Sequence, residues 1–227
     1  MTTQSYEIEI KSLLGGKENA EALRARMAAA DPNLVYHGAH AQKNHYFIGG
    51  DLAKLAAHVA PRLEEGTRGQ LEDIARRAHD FSVRTRWADG TVLLVLKASV
   101  DDTTSANGTA RLEFEAKTPG LGLEELDSLL LQSGFQYQAK WSREREEYTF
   151  RNTAVTIDKN AGYGYLAEFE AVVNDAAQAD QTKARLRNVM AELGATELSQ
   201  ERLERMFAYY NAHWPEYYGT DKVFVVE

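Results

Sequence analysis

Glu7-Ile8-Glu9-Ile10-Lys11 alternates charged with apolar side chains, and six later stretches repeat the pattern: Arg84-Thr85-Arg86, Val92-Leu93-Leu94-Val95-Leu96-Lys97, Arg111-Leu112-Glu113-Phe114-Glu115, Arg143-Glu144-Arg145, Thr156-Ile157-Asp158 and Glu168-Phe169-Glu170. Side chains on a strand point alternately to opposite faces, so each stretch puts its charges on one face and its apolar residues on the other. A sheet assembled from such strands has one strongly ionic face. An antiparallel sheet can simply turn that face to water. Two details point elsewhere: acids and bases cluster on separate strands, and acids recur at spacing two, where like charges repel unless something neutralises them. Paired carboxylates facing several Arg and Lys suit a bound metal and a polyanion.

The chain has 227 residues, enough for one generous domain over residues 1–227, with the charged stretches in a core of about 6–173 and a helical, aromatic extension over about 178–227. A net charge of −8 argues against a nucleic-acid partner, which a broad basic surface would gather. Any phosphate site must be local. There is no cysteine, so disulfides and thiolate zinc sites are excluded. The N-terminal residues resemble no signal peptide and Val92–Leu96 is too short to span a bilayer, so a cytoplasmic protein with no membrane partner is expected.

Helical spacing of Ala20, Leu23, Met27 and Ala30 follows the first strand, Tyr6 to Leu13, and ends at Asp31-Pro32. A second strand is expected over Lys43 to Ile48, a helix carrying Leu52, Leu55, Ala56 and Val59 up to Pro61, and a charged helical or irregular segment over Arg62 to His79. Phe81 to Ala88, Asp89-Gly90 and Thr91 to Ser99 form a hairpin signal with a two-residue type I′ turn. That turn pairs Arg84 with Val95, Arg86 with Leu93 and Ser82 with Lys97, so Arg84, Arg86 and Lys97 share a face. A strand over Ala110 to Lys117 and a helix carrying Leu123, Leu126, Leu129 and Leu130 come next. If Arg151-Asn152 is the turn between strands at Lys140 to Phe150 and Thr153 to Lys159, Arg145 stands opposite Asp158. A last strand at Tyr163 to Val173 precedes two helices and a tail with Tyr209, Trp214, Tyr217 and Tyr218.

The strands are mostly antiparallel and could form an open α+β sheet or close into a barrel with an ionic lumen. The ordered set resembles the CYTH proteins, or triphosphate tunnel metalloenzymes, in which an ExExK signature like Glu7, Glu9 and Lys11 comes first. The resemblance spans about Tyr6 to Val173. It implies an α+β fold with a closed eight-stranded antiparallel β-barrel and amphipathic helices packed outside. It also implies Mg2+ or Mn2+ as cofactor and a triphosphate-containing small molecule as partner: inorganic triphosphate, thiamine triphosphate or ATP.

Under that resemblance Glu7, Glu9 and Lys11 are the catalytic candidates. Lys11, Arg84, Arg86, Lys97, Arg111, Arg143 and Arg145 form a phosphate clamp, with Lys140 a further candidate whose strand parity differs from that of Arg143 and Arg145. Glu7, Glu9, Glu115, Asp158, Glu168 and Glu170 are the candidate metal ligands, hard oxygens of the kind Mg2+ and Mn2+ prefer. The expected activity is metal-dependent hydrolysis of inorganic triphosphate or an organic triphosphate. The alternatives are a class IV adenylyl cyclase making cyclic AMP and pyrophosphate from ATP, and a non-catalytic polyphosphate or nucleotide binder.

Overall fold

Period-two alternation and the turn residues between the runs produce strands at every charged stretch that falls within residues 6–78, 80–99, 104–105, 108–109 and 112–226, which the computed structural model describes. In chain order the elements are β1 (Tyr6–Gly15), α1 (Lys17–Ala30), β2 (Val35–Gly49), α2 (Leu52–Val59), α3 (Glu65–Arg77), β3 (Asp80–Ala88), β4 (Thr91–Ser99), the short strands β5 (Thr104–Ser105) and β6 (Gly108–Thr109), β7 (Leu112–Lys117), α4 (Leu123–Gln132), β8 (Phe135–Phe150), β9 (Thr153–Asn160), β10 (Gly164–Val173), α5 (Ala179–Glu192) and α6 (Gln200–Tyr217). The segment read as helical or irregular contains the helix α3, and β2 and β8 each start well before the strands expected there.

The eight-stranded sheet has the order β1-β10-β9-β8-β2-β3-β4-β7, while β5 pairs with β6 in a separate two-stranded sheet. The expected closed barrel is therefore corrected to an α+β sheet with two end strands: among the described residues no ladder joins β7 to β1. The Lys11 carbonyl accepts the Leu198 amide at 2.8 Å, so that part of β1 is engaged by the connection between α5 and α6. Among the described residues no helix is long and apolar enough to cross a membrane.

The chain divides into two compact units, residues 1–41 with 142–227 and residues 42–141. In the first unit β1 pairs β10 and β10 pairs β9, both antiparallel, with Glu9 opposite Glu170 and Lys11 opposite Glu168. Its core is the other face: Ile8, Ile10, Val155, Ile157, Ala167 and Phe169 bury against Ala20, Leu23 and Met27 of α1 and Leu186 and Met190 of α5. Arg151 takes a left-handed φ of 42° in the β8–β9 turn, a conformation costing about 1 kcal/mol in a non-glycine residue. Asp31 offsets this by accepting the Arg151 amide at 2.8 Å, and Glu192 holds the Arg151 guanidinium at 2.7 and 2.8 Å.

In the second unit Asp89 and Gly90 take φ values of 45° and 87°, the positive pair that a type I′ turn demands. The β3–β4 register is the one that turn predicts, Arg84 opposite Val95, Arg86 opposite Leu93 and Ser82 opposite Lys97. Val83, Leu94, Leu96 and Phe114 on the opposite face bury against Leu52, Leu55, Leu71, Leu126 and Leu130 of α2, α3 and α4. Each unit thus covers the apolar face of its strands with helices and leaves the charged side chains on the other.

Candidate functional site

The first unit carries a chain of alternating charge. The Lys11 ammonium is paired with Glu9, its neighbour on the same face of β1, and lies 3.2 Å from Glu168 across the β1–β10 ladder. Glu168 also accepts from Arg145. Arg145 grips Asp158 with two bonds of 2.7 Å, Nε to Oδ1 and Nη2 to Oδ2, and Arg143 adds a third at 3.3 Å. The β8–β9 ladder puts Arg145 directly opposite Asp158 as expected.

These contacts set the protonation states. Burial alone would raise the Glu168 pKa, but Arg145 and Lys11 outweigh it and hold the carboxyl below its ordinary range. Burial likewise works against the charge of Arg145, and Asp158 and Glu168 reverse this, so its pKa stands above the usual guanidinium value. Glu168 and Arg145 are thus each held in the charged form by the other.

Glu9 stands directly opposite Glu170, an arrangement of like charges across a ladder that is unfavourable unless a cation intervenes. With Glu168 they are hard-oxygen donors on one face, which fits Mg2+ or Mn2+ in donor chemistry. Among the described residues no three acidic or histidine groups already cluster closely enough to hold an ion. Glu9 and Glu168 are engaged by Lys11, so a divalent ion would take over the neutralising role that this ammonium fills. Asp158, also expected as a ligand, is buried and pairs with Arg145 and Arg143. For Glu7 the structure gives only its place in β1, opposite Val172.

The second unit carries the other cations. Tyr46, Ser82, Val83, Arg84, Val95 and Lys97 line a cavity of about 230 Å³. Arg84 donates from Nη1 to the Tyr46 hydroxyl at 3.0 Å and lies over the same ring at 5.6 Å. Its Nε is buried and has no hydrogen-bond partner among the described residues. Arg86 donates from Nε to Asn44 at 2.9 Å and pairs with Glu115 at 3.0 Å. Glu115, also expected as a metal ligand, is thus the partner of Arg86. Arg111 lies outside the described residues, and Glu113 is placed only by its register opposite Lys97. Lys140 stands 3.9 Å from the buried Asp127.

The CYTH domain model matches residues 5–203. This chain belongs to the CYTH family. Among solved structures, the CYTH chain is similar to the PH1819 protein of Pyrococcus horikoshii, with 17% identity, a TM-score of 0.52 and coverage of 90% of this chain and 99% of that one. It is also similar to a candidate adenylate cyclase from Vibrio parahaemolyticus, with 13% identity, a TM-score of 0.51 and coverage of 89% and 98%. At such identities these likenesses show the fold alone. No curated protein matches the CYTH chain by sequence.

Tyr46 holds Arg84 and Asn44 holds Arg86, both at one parity in the expected second strand, and sequence reasoning linked neither to its arginine. It also missed Asp127, whose signal was an acid on the same helical stripe as Leu123 and Leu130.

Proposed function

We propose that this CYTH chain is a metal-dependent triphosphatase that hydrolyses the terminal phosphoryl group of inorganic triphosphate or of an organic triphosphate, in the ionic tunnel that family resemblance implies. The observation that carries the reading is the buried Arg84 Nε, which has no hydrogen-bond partner among the described residues, in a cavity that Lys97 and Ser82 also line. A buried donor left unsatisfied costs about 1–3 kcal/mol, more when charged, and an acceptor supplied by a ligand removes that cost. A phosphate oxygen is such an acceptor, and arginine with a neighbouring lysine is the pairing that phosphate recognition favours.

Arg84, Arg86 and Lys97 in one unit and Lys11, Arg143 and Arg145 in the other, with Arg111, are the proposed phosphate-binding set. Glu9, Glu168 and Glu170, with Glu7, would hold Mg2+ or Mn2+. Such an ion, when bound, supplies charge neutralisation and a bound water of lowered pKa. The protein groups do the positioning. The arginines fix phosphate oxygens in place before reaction and stabilise the charge that develops on them, at no cost in reorganisation. Lys11, the cation between Glu9 and Glu168, is proposed to turn its charge to the substrate when those carboxylates serve an ion.

The test is incubation of the protein with inorganic triphosphate, thiamine triphosphate and ATP, each with Mg2+ or Mn2+, followed by product identification. Metal-dependent release of phosphate from a triphosphate supports the reading. Cyclic AMP and pyrophosphate from ATP, with triphosphate left uncleaved, would replace it with the cyclase. Tight binding without any product would replace it with a non-catalytic binder.

A further inference from the structure

On the helix-covered side of the second unit, Asp127 carries a carboxylate inward from a stripe of α4 otherwise made of leucines. Asp127 and His45 are each 1% exposed and Thr85 is fully buried. Asp127 Oδ2 accepts from His45 Nδ1 at 2.6 Å and from the Tyr137 hydroxyl at 2.8 Å, and Oδ1 accepts from the Thr85 hydroxyl at 2.6 Å. The Lys140 ammonium, 4.2 Å from the centre of the Tyr137 ring, supplies a countercharge 3.9 Å from Oδ2. Burial would push the Asp127 pKa up, but the bonds from His45, Thr85 and Tyr137 hold it below the ordinary value.

His45 and Thr85 are directly opposed in the β2–β3 ladder. The rungs on either side are Tyr46 opposite Arg84 and Asn44 opposite Arg86. Alternation sends those four side chains to the other face, where each rung closes its own hydrogen bond, 3.0 Å in one and 2.9 Å in the other. One carboxylate therefore grips both strands at the middle rung of three, and the outer two carry the guanidinium groups. A shift or twist between β2 and β3 would displace both arginines together.

We propose that Asp127 is a positioning residue for triphosphate binding, its bonds to His45 and Thr85 locking the rung between Arg84 and Arg86 and so fixing both guanidinium groups where they meet phosphate. The inference rests on the proposed function and names what holds its clamp in place. An anchor that only stabilised the fold would leave the arginine geometry and the affinity of the folded protein unchanged.

Thr85→Val removes one donor to Asp127 at nearly constant volume, and Asp127→Asn provides a second variant should the first fold poorly. The readouts are the Arg84 and Arg86 Nε–H resonances in ligand-free protein and the calorimetric affinity for inorganic triphosphate in the presence of Mg2+. Expected are shifts of both resonances and an affinity loss of about fivefold or more, both restored by Thr85→Ser, with no further loss when Thr85→Val is added to Arg84→Ala/Arg86→Ala. Unmoved resonances, or native affinity in Thr85→Val and Asp127→Asn when Arg84→Ala weakens binding, overturn the positioning role. A native protein that binds no triphosphate overturns the functional reading and this inference with it, and the native titration tells that failure from the other.

Discussion

Replacing Asp158 with Asn separates an ion-pair anchor from a metal ligand. The side chain is 1% exposed and accepts three arginine hydrogen bonds, two at 2.7 Å from Arg145 and one at 3.3 Å from Arg143. A hydrogen bond to a charged group contributes about 1.5–3 kcal/mol and a neutral one about 0.5–1.5 kcal/mol, so removing the charge costs about 1 kcal/mol for each good bond. The amide also turns a donor toward an arginine that can only donate. Glu168 still accepts from Arg145 and limits the damage. Together these give a loss of about 2–3 kcal/mol, or about 4–12 °C in thermal midpoint for a chain of this size. Calorimetric unfolding measures that loss, and a Mg2+ titration of the same variant should give close to native affinity. A midpoint within about 1 °C of native, with Mg2+ affinity lost, would refute the anchor and return Asp158 to the metal ligands.

Glu9→Gln should keep the native midpoint, because the side chain is partly exposed, while abolishing metal-dependent phosphate release; normal activity would remove Glu9 from the metal site. Glu168 and Asp127 have pKa values held below the ordinary range, so the stability they contribute is present above their unfolded values of about 4.3 and 3.9 and is lost as pH falls through the folded ones. Urea midpoints should therefore drop in that acid range, and less steeply in Glu168→Gln. Asp31→Ala strips the acceptor from the Arg151 amide and should cost about 1–3 kcal/mol, with faster hydrogen exchange at that amide than in the native protein. Gly164→Ala would place a Cβ 2.2 Å from the Gly15 carbonyl oxygen at a φ of +74° and should lower the urea-derived stability by more than about 2 kcal/mol.

Period-two alternation was legible wherever charge and apolar bulk took turns, because a buried face admits only one parity. Asp89-Gly90 set a whole hairpin register for the same kind of local reason, the need for two positive φ values. Arg151-Asn152 carried the correct register with a weaker local signal, since its support comes from Asp31 and Glu192, remote in sequence. The first half of β2, Val35 to Ala41, carries no such signal: after Val35-Tyr36 its His, Gly and Ala residues have no apolar alternation of their own, and strand formation there depends on neighbours. Whether the sheet closes is likewise not a property of any one strand. Of the candidate site, the cations and acids were legible as a pattern, and Arg84, Arg86 and Lys97 share the expected face. Their holders Asn44, Tyr46 and Asp127 were not, because a polar side chain that serves another polar side chain leaves no periodic trace.

An end strand presents its backbone as a template on which another chain can polymerise. At Lys11 the protein answers with its own main chain, through the Leu198 amide. What guards the carbonyl there is a peptide N–H rather than any particular side chain, so position 198 should accept many replacements during evolutionary drift but not proline, the residue that lacks that donor. Shortening the connection between α5 and α6 would carry the same hazard: filament or aggregate growth seeded at the signature strand itself.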